Sequence, residues 1–426
     1  MLFELLCKDD LRAEFELNYG AIDVELDNLV IHGNLPIGCT ESNLLNWLDH
    51  RSVLRNRVRI SGLLKDANMH DLINFLCVTH GVSLNDCFWV RDYDNNDCTW
   101  SDVNPYTNDF DNVLQDIAFA TEGNIDYISP TPSPEYSTDG AFAKCWVRES
   151  NGIYLYKRGS KDSPRKGREP FNEVIASTIY SKLKAGIPYT LKTYKGFYVS
   201  RCKLFTSEKV SFVQYKSNNE PLDRINDILK YYKNIDQRDT INRILISDSI
   251  VYNIDRHAGN HGSLYNADTN VLLGCAPGFD YNLALMPLLS DEDLLKYRDI
   301  TKGYVPRIGQ DFVGLAKYLL TDSIRSDLVN IRGHYSELPE YTENFTERRC
   351  KCLNDIMHIQ IENILRDGEE FYPPLTKDGL STVYKYRMQY GFTDDKEWQK
   401  EKDRLTSVFN IKTKEDVESV LSSLLK

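Results

Sequence analysis

Two short polar motifs, one on each side of a predicted hairpin, constrain this chain more than any other feature of its sequence. The first, residues 253–260 (NIDRHAGN), follows a helix that the apolar spacing predicts over residues 238–252. The second, residues 279–282 (FDYN), follows a hairpin predicted over residues 263–273. Both motifs lie where a regular element ends, so we expect their side chains to meet on one side of the fold.

These side chains suit phosphoryl transfer, which depends on positioning and charge neutralisation more than on covalent help. One carboxylate must meet the attacking hydroxyl, and Asp255 fits that role of catalytic base. A hard cation such as Mg²⁺ prefers oxygen ligands, and Asn260 and Asp280 fit the roles of metal ligands. The pattern predicts an enzyme that uses ATP and Mg²⁺. The alternative is that these residues only form polar turns that cap a helix.

A lysine and a glutamate upstream fit the same reaction. Lys157 ends the second strand of a hairpin predicted over residues 143–157, where it can reach nucleotide phosphates, although Lys144 competes for this role. Glu173 lies on a helix predicted over residues 169–184 and can hold Lys157 by an ion pair. Alternatively, Glu173 is a first-turn acid favoured by the helix dipole. A lysine strand, a glutamate helix and then the base and metal loops form the order that a two-lobed kinase requires.

The D-x-H-x-x-N pattern of residues 255–260, with Asp280 downstream, resembles the catalytic loop of HipA-like serine/threonine kinases. Phosphatidylinositol kinases are similar in this loop, whereas ordinary protein kinases place the histidine before the aspartate. A second stretch, residues 137–144 (STDGAFAK), resembles the HipA-like phosphate-binding loop, in which a lysine follows a glycine by four positions. The resemblance covers residues 133–365. The second motif departs from ordinary protein kinases, because Tyr281 stands where they have phenylalanine.

The resemblance implies several site residues. Gly140 and Lys144 would contact the phosphates, and Phe205, with the leucine before it, would lie in the hinge that contacts adenine. Ser137 occupies the place of a serine that can be autophosphorylated in this family; the other interpretation is a turn serine that uses its hydroxyl locally. HipA-like kinases often belong to bacterial toxin–antitoxin systems. The resemblance therefore implies a growth-inhibiting toxin with an antitoxin protein as partner.

The predicted fold is α+β: a bilobal protein-kinase-like fold preceded by an α/β module. Residues 129–135 (SPTPSPE) mark a boundary, because each of the three prolines fixes φ and removes a hydrogen-bond donor. We assign residues 1–125 to the amino-terminal module and residues 126–220 to a β-rich small lobe. A mostly helical large lobe is predicted over residues 221–366, and a helical appendage over residues 367–426.

The composition of the chain argues against two classes of binding partner, nucleic acids and membranes. The net charge of −12, from 51 basic and 63 acidic residues, argues against broad nucleic-acid binding, because contacts with phosphate backbones need a basic surface. No apolar run approaches the ~20 residues of a membrane-spanning helix, and the first residues do not resemble a signal peptide. The ten cysteines include no C-x-x-C pair and suit reduced thiols. We expect a cytoplasmic protein that binds neither nucleic acid nor membrane.

The favoured function is a HipA-like kinase that transfers the γ-phosphate of ATP to a serine or threonine of a protein, including itself. A phosphatidylinositol- or lipid-kinase-like enzyme is the first alternative, and it would require a basic or amphipathic membrane face. A nucleotide-binding pseudokinase that serves as an interaction module is the second. The joint presence of Lys157, Asp255, Asn260 and Asp280 argues against it, because a pseudokinase usually lacks at least one such residue.

Overall fold

The computed structural model divides into two compact units that the chain enters more than once. It describes residues 1–21, 23–51, 72–95, 97–111, 115, 119, 143–160, 167–217, 224–331, 338–370, 372 and 375. The first unit comprises residues 1–159, 192–222 and 258–276; the second comprises residues 160–191, 223–257 and 277–426. In the described part of the chain, no helix is long and apolar enough to cross a membrane.

The first unit begins with a four-stranded sheet in the order β3-β2-β1-β4, in which the pairs β1–β2, β2–β3 and β1–β4 are antiparallel. In the described residues of this segment, three short helices accompany the sheet. One face of β2 is buried and the other is partly exposed, which is the alternation of a strand with one face on a core. The bounds are β1 Leu2–Cys7, β2 Asp10–Tyr19, β3 Val24–Ile31, α1 Leu44–Asp49, α2 Leu72–Thr79, β4 Phe88–Asp92 and α3 Trp100–Val103.

Two further sheets follow. One has the order β5-β6-β8-β7 and the other the order β11-β10-β9. Both predicted hairpins are confirmed, because β5 pairs with β6 and β10 pairs with β11, each antiparallel. Strand β7 was not predicted from the sequence. The bounds are β5 Lys144–Glu149, β6 Gly152–Arg158, β7 Tyr189–Tyr194, β8 Phe197–Lys203, β9 Val210–Gln214, β10 Gly262–Asn266 and β11 Leu272–Cys275.

The amino-terminal sheet and the second sheet share one apolar core. Phe15 and Trp89 from the first sheet belong to the same buried cluster as Tyr156 and Val199 from the second, and all four are inaccessible to solvent. Arg158 also donates from Nη1 to the carbonyl oxygen of Phe119, 3.0 Å away. Residues on both sides of position 125 are therefore parts of one compact unit, and the lobe boundaries drawn from the sequence remain predictions.

The second unit is mostly helical. Helices α4 and α6 correspond to the helices predicted over residues 169–184 and 238–252, but each ends two residues earlier. The reason is a left-handed residue at each end, Lys184 with φ 54° and Tyr252 with φ 50°, which cannot continue a helix. The bounds are α4 Glu169–Lys182, α5 Ile225–Asn234, α6 Arg238–Ile250, α7 Asp291–Leu294, α8 Tyr297–Thr301, α9 Phe312–Leu319, α10 Asp322–Ile331 and α11 Glu347–Leu365. The prediction of an α+β chain is confirmed.

Candidate functional site

The base loop begins directly after α6 and turns sharply. The backbone N–H of Asn253 donates to the carbonyl oxygen of Asp248 (2.9 Å), and the Asn253 side-chain oxygen accepts from the N–H of Asp255 (3.2 Å). The N–H of His257 then donates to the carbonyl oxygen of Asp255 (2.8 Å). These bonds form a tight turn around Asp255, which is half-buried. The catalytic base predicted from the sequence is thus held by its own loop.

A buried ion pair lies behind this turn. Arg256 donates from Nε to Oδ2 of Asp248 and from Nη2 to Oδ1, each at 3.0 Å, and both side chains are almost inaccessible to solvent. Tyr180 and Asn253 also donate to Oδ1 of Asp248. Burial disfavours the charge of Arg256, but attraction to Asp248 more than offsets this, so the pKa of Arg256 is raised well above its ordinary value. The arginine is therefore a fixed cation inside the second unit.

The same arginine connects the base loop to the metal motif. Its Nη1 donates to the carbonyl oxygen of Phe279, 2.7 Å away, and Phe279 immediately precedes the predicted metal ligand Asp280. Arg256 immediately follows Asp255. Its guanidinium group therefore links the residue after Asp255 to the residue before Asp280. The two motifs that the sequence predicted to meet are brought together by a residue to which the sequence assigned no role.

The backbone at the metal motif is strained and supported from several sides. Asp280 has φ 61°, a region that non-glycine residues rarely adopt and that is common at functional sites. Its N–H donates to the hydroxyl oxygen of Tyr189 (3.3 Å), and the N–H of Tyr281 donates to Oε1 of Glu173 (3.1 Å). The ring of Tyr281 stacks on Tyr180 with centroids 3.9 Å apart. Surrounding contacts therefore hold Asp280 in its unusual conformation.

Asp255 and Asp280 interact electrostatically. Burial raises the pKa of Asp255 above its usual value; the charge of His257 opposes this, and the negative charge of Asp280 adds to it. Two carboxylates under such repulsion fit a divalent cation, because a cation between them would relieve it. Carboxylate oxygens are among the ligands that Mg²⁺ prefers. Asn260, the other predicted metal ligand, is buried and belongs to the first unit.

The chain after the metal motif is held along its backbone by side chains of the second unit. Asn172 donates from Nδ2 to the carbonyl oxygens of Ala284 (2.9 Å) and Leu285 (3.1 Å). Arg349 donates to those of Met286 (3.1 Å) and Leu289 (2.8 Å). Burial and a neighbouring arginine lower the pKa of Arg349 to about 10, which keeps it charged at neutral pH. These four hydrogen bonds fix the backbone of residues 284–289 to α4 and α11.

A close approach of two glycines supports the strained aspartate. Gly186 forms a parallel bridge with Gly278. A Cβ at position 186 would lie 2.0 Å from the hydroxyl oxygen of Tyr281 and 2.7 Å from the carbonyl oxygen of Gly278. Neither distance is sterically possible, so this position requires glycine. Gly186 thus packs against the residues on both sides of Asp280 in the metal motif.

Gly186→Ala is therefore expected to lower the free energy of unfolding by about 1–3 kcal/mol through overpacking. Denaturant unfolding followed by circular dichroism measures the change. Gly303→Ala is the matched control, because its added Cβ would come no nearer than 3.7 Å to the carbonyl oxygen of Ile300. Equal stability of the Gly186→Ala protein and the wild type would contradict the packing described at the metal motif.

The predicted nucleotide-binding residues lie in the first unit. Lys144 and Lys157 are direct cross-strand partners in the β5–β6 register, so their side chains share one face of the sheet. Both are buried, with 7% and 5% of their surface exposed. Like charges directly opposite one another destabilise a sheet. The register therefore places side by side the two lysines that competed for one predicted role.

The predicted hinge also lies in the first unit, between β8 and β9. The ring of Phe205 packs edge-on against Phe212, with centroids 5.4 Å apart. The next residue, Thr206, donates from its hydroxyl to the carbonyl oxygen of Leu84 in the amino-terminal segment. The N–H of Phe212 donates to the carbonyl oxygen of Asn85 (2.7 Å). The amino-terminal residues therefore support the segment that the resemblance assigns to adenine.

The predicted site residues divide between the two units. Three of them belong to the second unit: Asp255, Asp280 and Glu173. Four belong to the first unit: Asn260, Lys144, Lys157 and Phe205. Gly140 and Ser137 lie outside the described residues. Glu173 accepts a hydrogen bond from the metal motif, a role that was not predicted, and its ion pair with Lys157 remains a prediction.

Sequence reasoning missed Asp248, Arg256 and Tyr180. Arg256 stands inside the quoted motif, and its position between Asp255 and His257 was a usable signal. Asp248 lies on α6, in which residues 241–250 are all buried. A buried acidic residue in such a helix needs a cationic partner. Tyr180 carried no signal, because an aromatic residue at helical spacing is usually part of a core.

The solved structures that are similar to the chain include the two described next. One is a Helicobacter pylori proinflammatory kinase, CtkA: it is 19% identical, has a TM-score of 0.39, and the match covers 52% of this chain and 91% of CtkA. The other is HipA from the Shewanella oneidensis MR-1 toxin–antitoxin complex of HipA, HipB and operator DNA: it is 10% identical, has a TM-score of 0.42, and the match covers 85% of this chain and 96% of that one. No protein-family model matches the chain, and no curated protein matches its sequence. The predicted resemblance to HipA-like kinases is confirmed to the extent that HipA is among these structures. Both TM-scores lie below 0.5, so the proposals below rest on the chain's own residues.

Proposed function

We propose that the protein is a two-lobed, ATP- and Mg²⁺-dependent kinase of the HipA-like type that phosphorylates a serine or threonine hydroxyl of a protein. One observation carries the proposal: Asp255 and Asp280 lie in two loops whose adjoining residues are joined by the Arg256 guanidinium group. Two carboxylates held in this way provide a base and a metal ligand. Lys144 and Lys157, the two candidates for the phosphate-binding lysine, are cross-strand partners in the β5–β6 hairpin.

In the proposed reaction, Asp255 orients the acceptor hydroxyl and takes its proton. The hydroxyl oxygen bonds to the γ-phosphorus of ATP, the bond from that phosphorus to the β–γ bridging oxygen breaks, and ADP leaves with the electron pair. The raised pKa of Asp255 makes it a better proton acceptor than an ordinary surface aspartate. Asn260 and Asp280 would hold Mg²⁺, whose charge would neutralise the phosphate oxygens. Lys157 would pair with the phosphates.

Intact mass spectrometry after incubation with Mg²⁺ and ATP tests the proposal. Wild type is expected to gain mass in steps of one phosphate group, and Asp255→Asn and Asp280→Asn proteins are expected to gain none. If wild type gains none, a panel of protein and phosphoinositide substrates with radiolabelled ATP follows. Transfer to protein would support the proposal, transfer only to lipid would replace it with lipid kinase activity, and a protein that binds no ATP would overturn it.

Replacing Lys157 tests which of the two buried lysines, Lys157 or Lys144, binds the phosphates of ATP. Lys157→Met is expected to weaken ATP binding about 10–100-fold, because a charge-assisted bond to phosphate contributes roughly 1.5–3 kcal/mol. Isothermal titration calorimetry measures the dissociation constant. Lys203→Met, an exposed lysine of the neighbouring strand β8, is the control and should bind ATP as wild type does. Weak binding by Lys144→Met together with normal binding by Lys157→Met would transfer the role to Lys144.

The family resemblance of the two motifs also supports a place in a toxin–antitoxin pair in the cytoplasm, with an antitoxin protein as partner. Expression of the wild-type chain is expected to arrest bacterial growth, whereas the Asp255→Asn chain should not. Growth arrest by both proteins would separate any toxicity from the proposed phosphoryl transfer.

A further inference from the structure

Arg256 makes contacts that only a guanidinium group can make together. Two of its nitrogens meet both oxygens of Asp248, and the third reaches the carbonyl oxygen of Phe279 in a different direction. A lysine ammonium group can pair with a carboxylate, but it lacks the planar fork of five donors that spans two separate acceptors. The position therefore demands more than positive charge.

The acceptor at the far end of this fork lies beside a strained residue. Asp280, directly after Phe279, has φ 61°, and such a conformation persists only where its surroundings over-determine it. Tyr189 meets the N–H of Asp280, Glu173 meets the N–H of Tyr281, and the bridge between Gly186 and Gly278 holds the chain before Asp280. Arg256 supports it from the base loop through the carbonyl oxygen of Phe279. Loss of this bond would remove a link between the base loop and the residue directly before Asp280.

We propose that Arg256 is a positioning residue that sets the affinity of the metal site by fixing the Asp280 carboxylate relative to the base loop. This inference rests on the proposed function, because it assigns a cause to the metal dependence of that same reaction. Mg²⁺ tolerates little departure from octahedral geometry, so a small displacement of one carboxylate weakens its binding. Residues that orient a metal ligand typically contribute 10–100-fold to metal affinity or activity.

Arg256→Lys tests the proposal, with Arg243→Lys as the matched control. Arg243 is another buried arginine of the second unit; it pairs with Asp239 and Asp327 and donates to the carbonyl oxygen of Leu183. Two quantities are measured for each full-length protein. One is the free Mg²⁺ concentration that gives half-maximal phosphorylation at saturating ATP. The other is the dissociation constant of Mn²⁺ in the presence of a non-hydrolysable ATP analogue, from electron paramagnetic resonance.

Arg256→Lys is expected to raise both quantities about 10–100-fold and to leave the KM for the protein acceptor unchanged. The activity of Arg256→Lys should recover at high Mg²⁺. A general loosening of the fold would not be reversed in this way. Arg243→Lys should stay within about twofold of wild type in both quantities, because its contacts include neither motif. Tyr180→Phe is a milder second variant if Arg256→Lys does not fold. It removes the hydroxyl that donates to Asp248 and accepts from Arg256 at 3.3 Å, and it should shift both quantities in the same direction by a smaller factor.

Wild-type metal dependence in the Arg256→Lys protein, or in Tyr180→Phe where the former does not fold, would overturn the proposal. An equal shift in Arg243→Lys would overturn it as well, because the effect would then come from general loosening. An inactive wild type that still binds Mn²⁺ with the nucleotide analogue would contradict the proposed reaction, while the Mn²⁺ titrations of the variants would still decide the role of Arg256. A wild type that binds no Mn²⁺ with the analogue would overturn both.

Discussion

Asp255→Asn is expected to lower the rate of phosphoryl transfer about 10²–10⁴-fold and to leave the metal-free protein at least as stable as wild type. The loss of rate follows because an amide cannot accept the proton of the hydroxyl. The stability follows because the native carboxylate is half-buried and lies under the negative charge of Asp280, two costs that a neutral isostere avoids. The folded-state pKa of Asp255 is raised, so its ionised form costs stability at neutral pH, and the cost disappears as the pH falls below that pKa.

Two measurements check this prediction. Single-turnover phosphorylation gives the rate, and thermal unfolding in EDTA at pH 7 gives the stability of the metal-free protein. Asp311→Ala serves as a comparison, because Asp311 caps α9 by accepting from the N–H of Gly314, so its replacement should lower stability and leave the rate unchanged. A melting temperature for Asp255→Asn several degrees below that of wild type would show that Asp255 stabilises the fold, contrary to expectation.

Asp248→Ala is expected to lower the free energy of unfolding by about 3–5 kcal/mol, the typical result of leaving one charge of a buried pair uncompensated. The guanidinium group of Arg256, whose side chain is only 2% exposed, would lose the carboxylate that meets two of its nitrogens. Tyr180 and Asn253 would lose their acceptor at the same time. A decrease of this size is a large part of the total stability of most domains.

Urea unfolding measures this change, and Asp239→Ala is the matched control. Asp239 also pairs with a buried arginine, Arg243, but its own side chain is 59% exposed and Arg243 keeps a second acidic partner. We expect a change of about 0–1 kcal/mol for the control, as for most exposed ion pairs. Similar losses for the two variants would mean that burial of the Asp248–Arg256 pair contributes little beyond a surface ion pair.

Much of the local structure followed from residues near one another in sequence. The turn at residues 149–152 specified the β5–β6 hairpin, and the observed pairing of Glu149 with Gly152 fixes Lys144 opposite Lys157. The two lysines that competed for one role could therefore have been predicted as neighbours by counting back from the turn. Helices α4 and α6 were predicted from apolar spacing, and only their last residues differ.

The contacts that hold the candidate site could not be derived in this way. Arg256 reaches Phe279 across 23 positions of sequence, and Asn172 reaches Ala284 across 112. Such pairs depend on the direction that the chain takes after the left-handed residue Tyr252 and after the β10–β11 hairpin. The local spacing of apolar residues predicts neither direction. The motifs predicted the residues to which we assign the chemistry, whereas the residues that hold them in place are determined by tertiary packing.

The core shared by the amino-terminal sheet and the second sheet has a consequence for how this protein can evolve. A change of volume at Trp89 or Phe15 alters the space available to Tyr156 and Val199, because interiors are packed to nearly crystalline density. Compensating substitutions should therefore arise across the two sheets, and the first hundred residues should be inherited together with the lysine hairpin. A descendant that exchanged its amino-terminal segment for an unrelated one would at the same time have to repack the core beneath the β5–β6 hairpin.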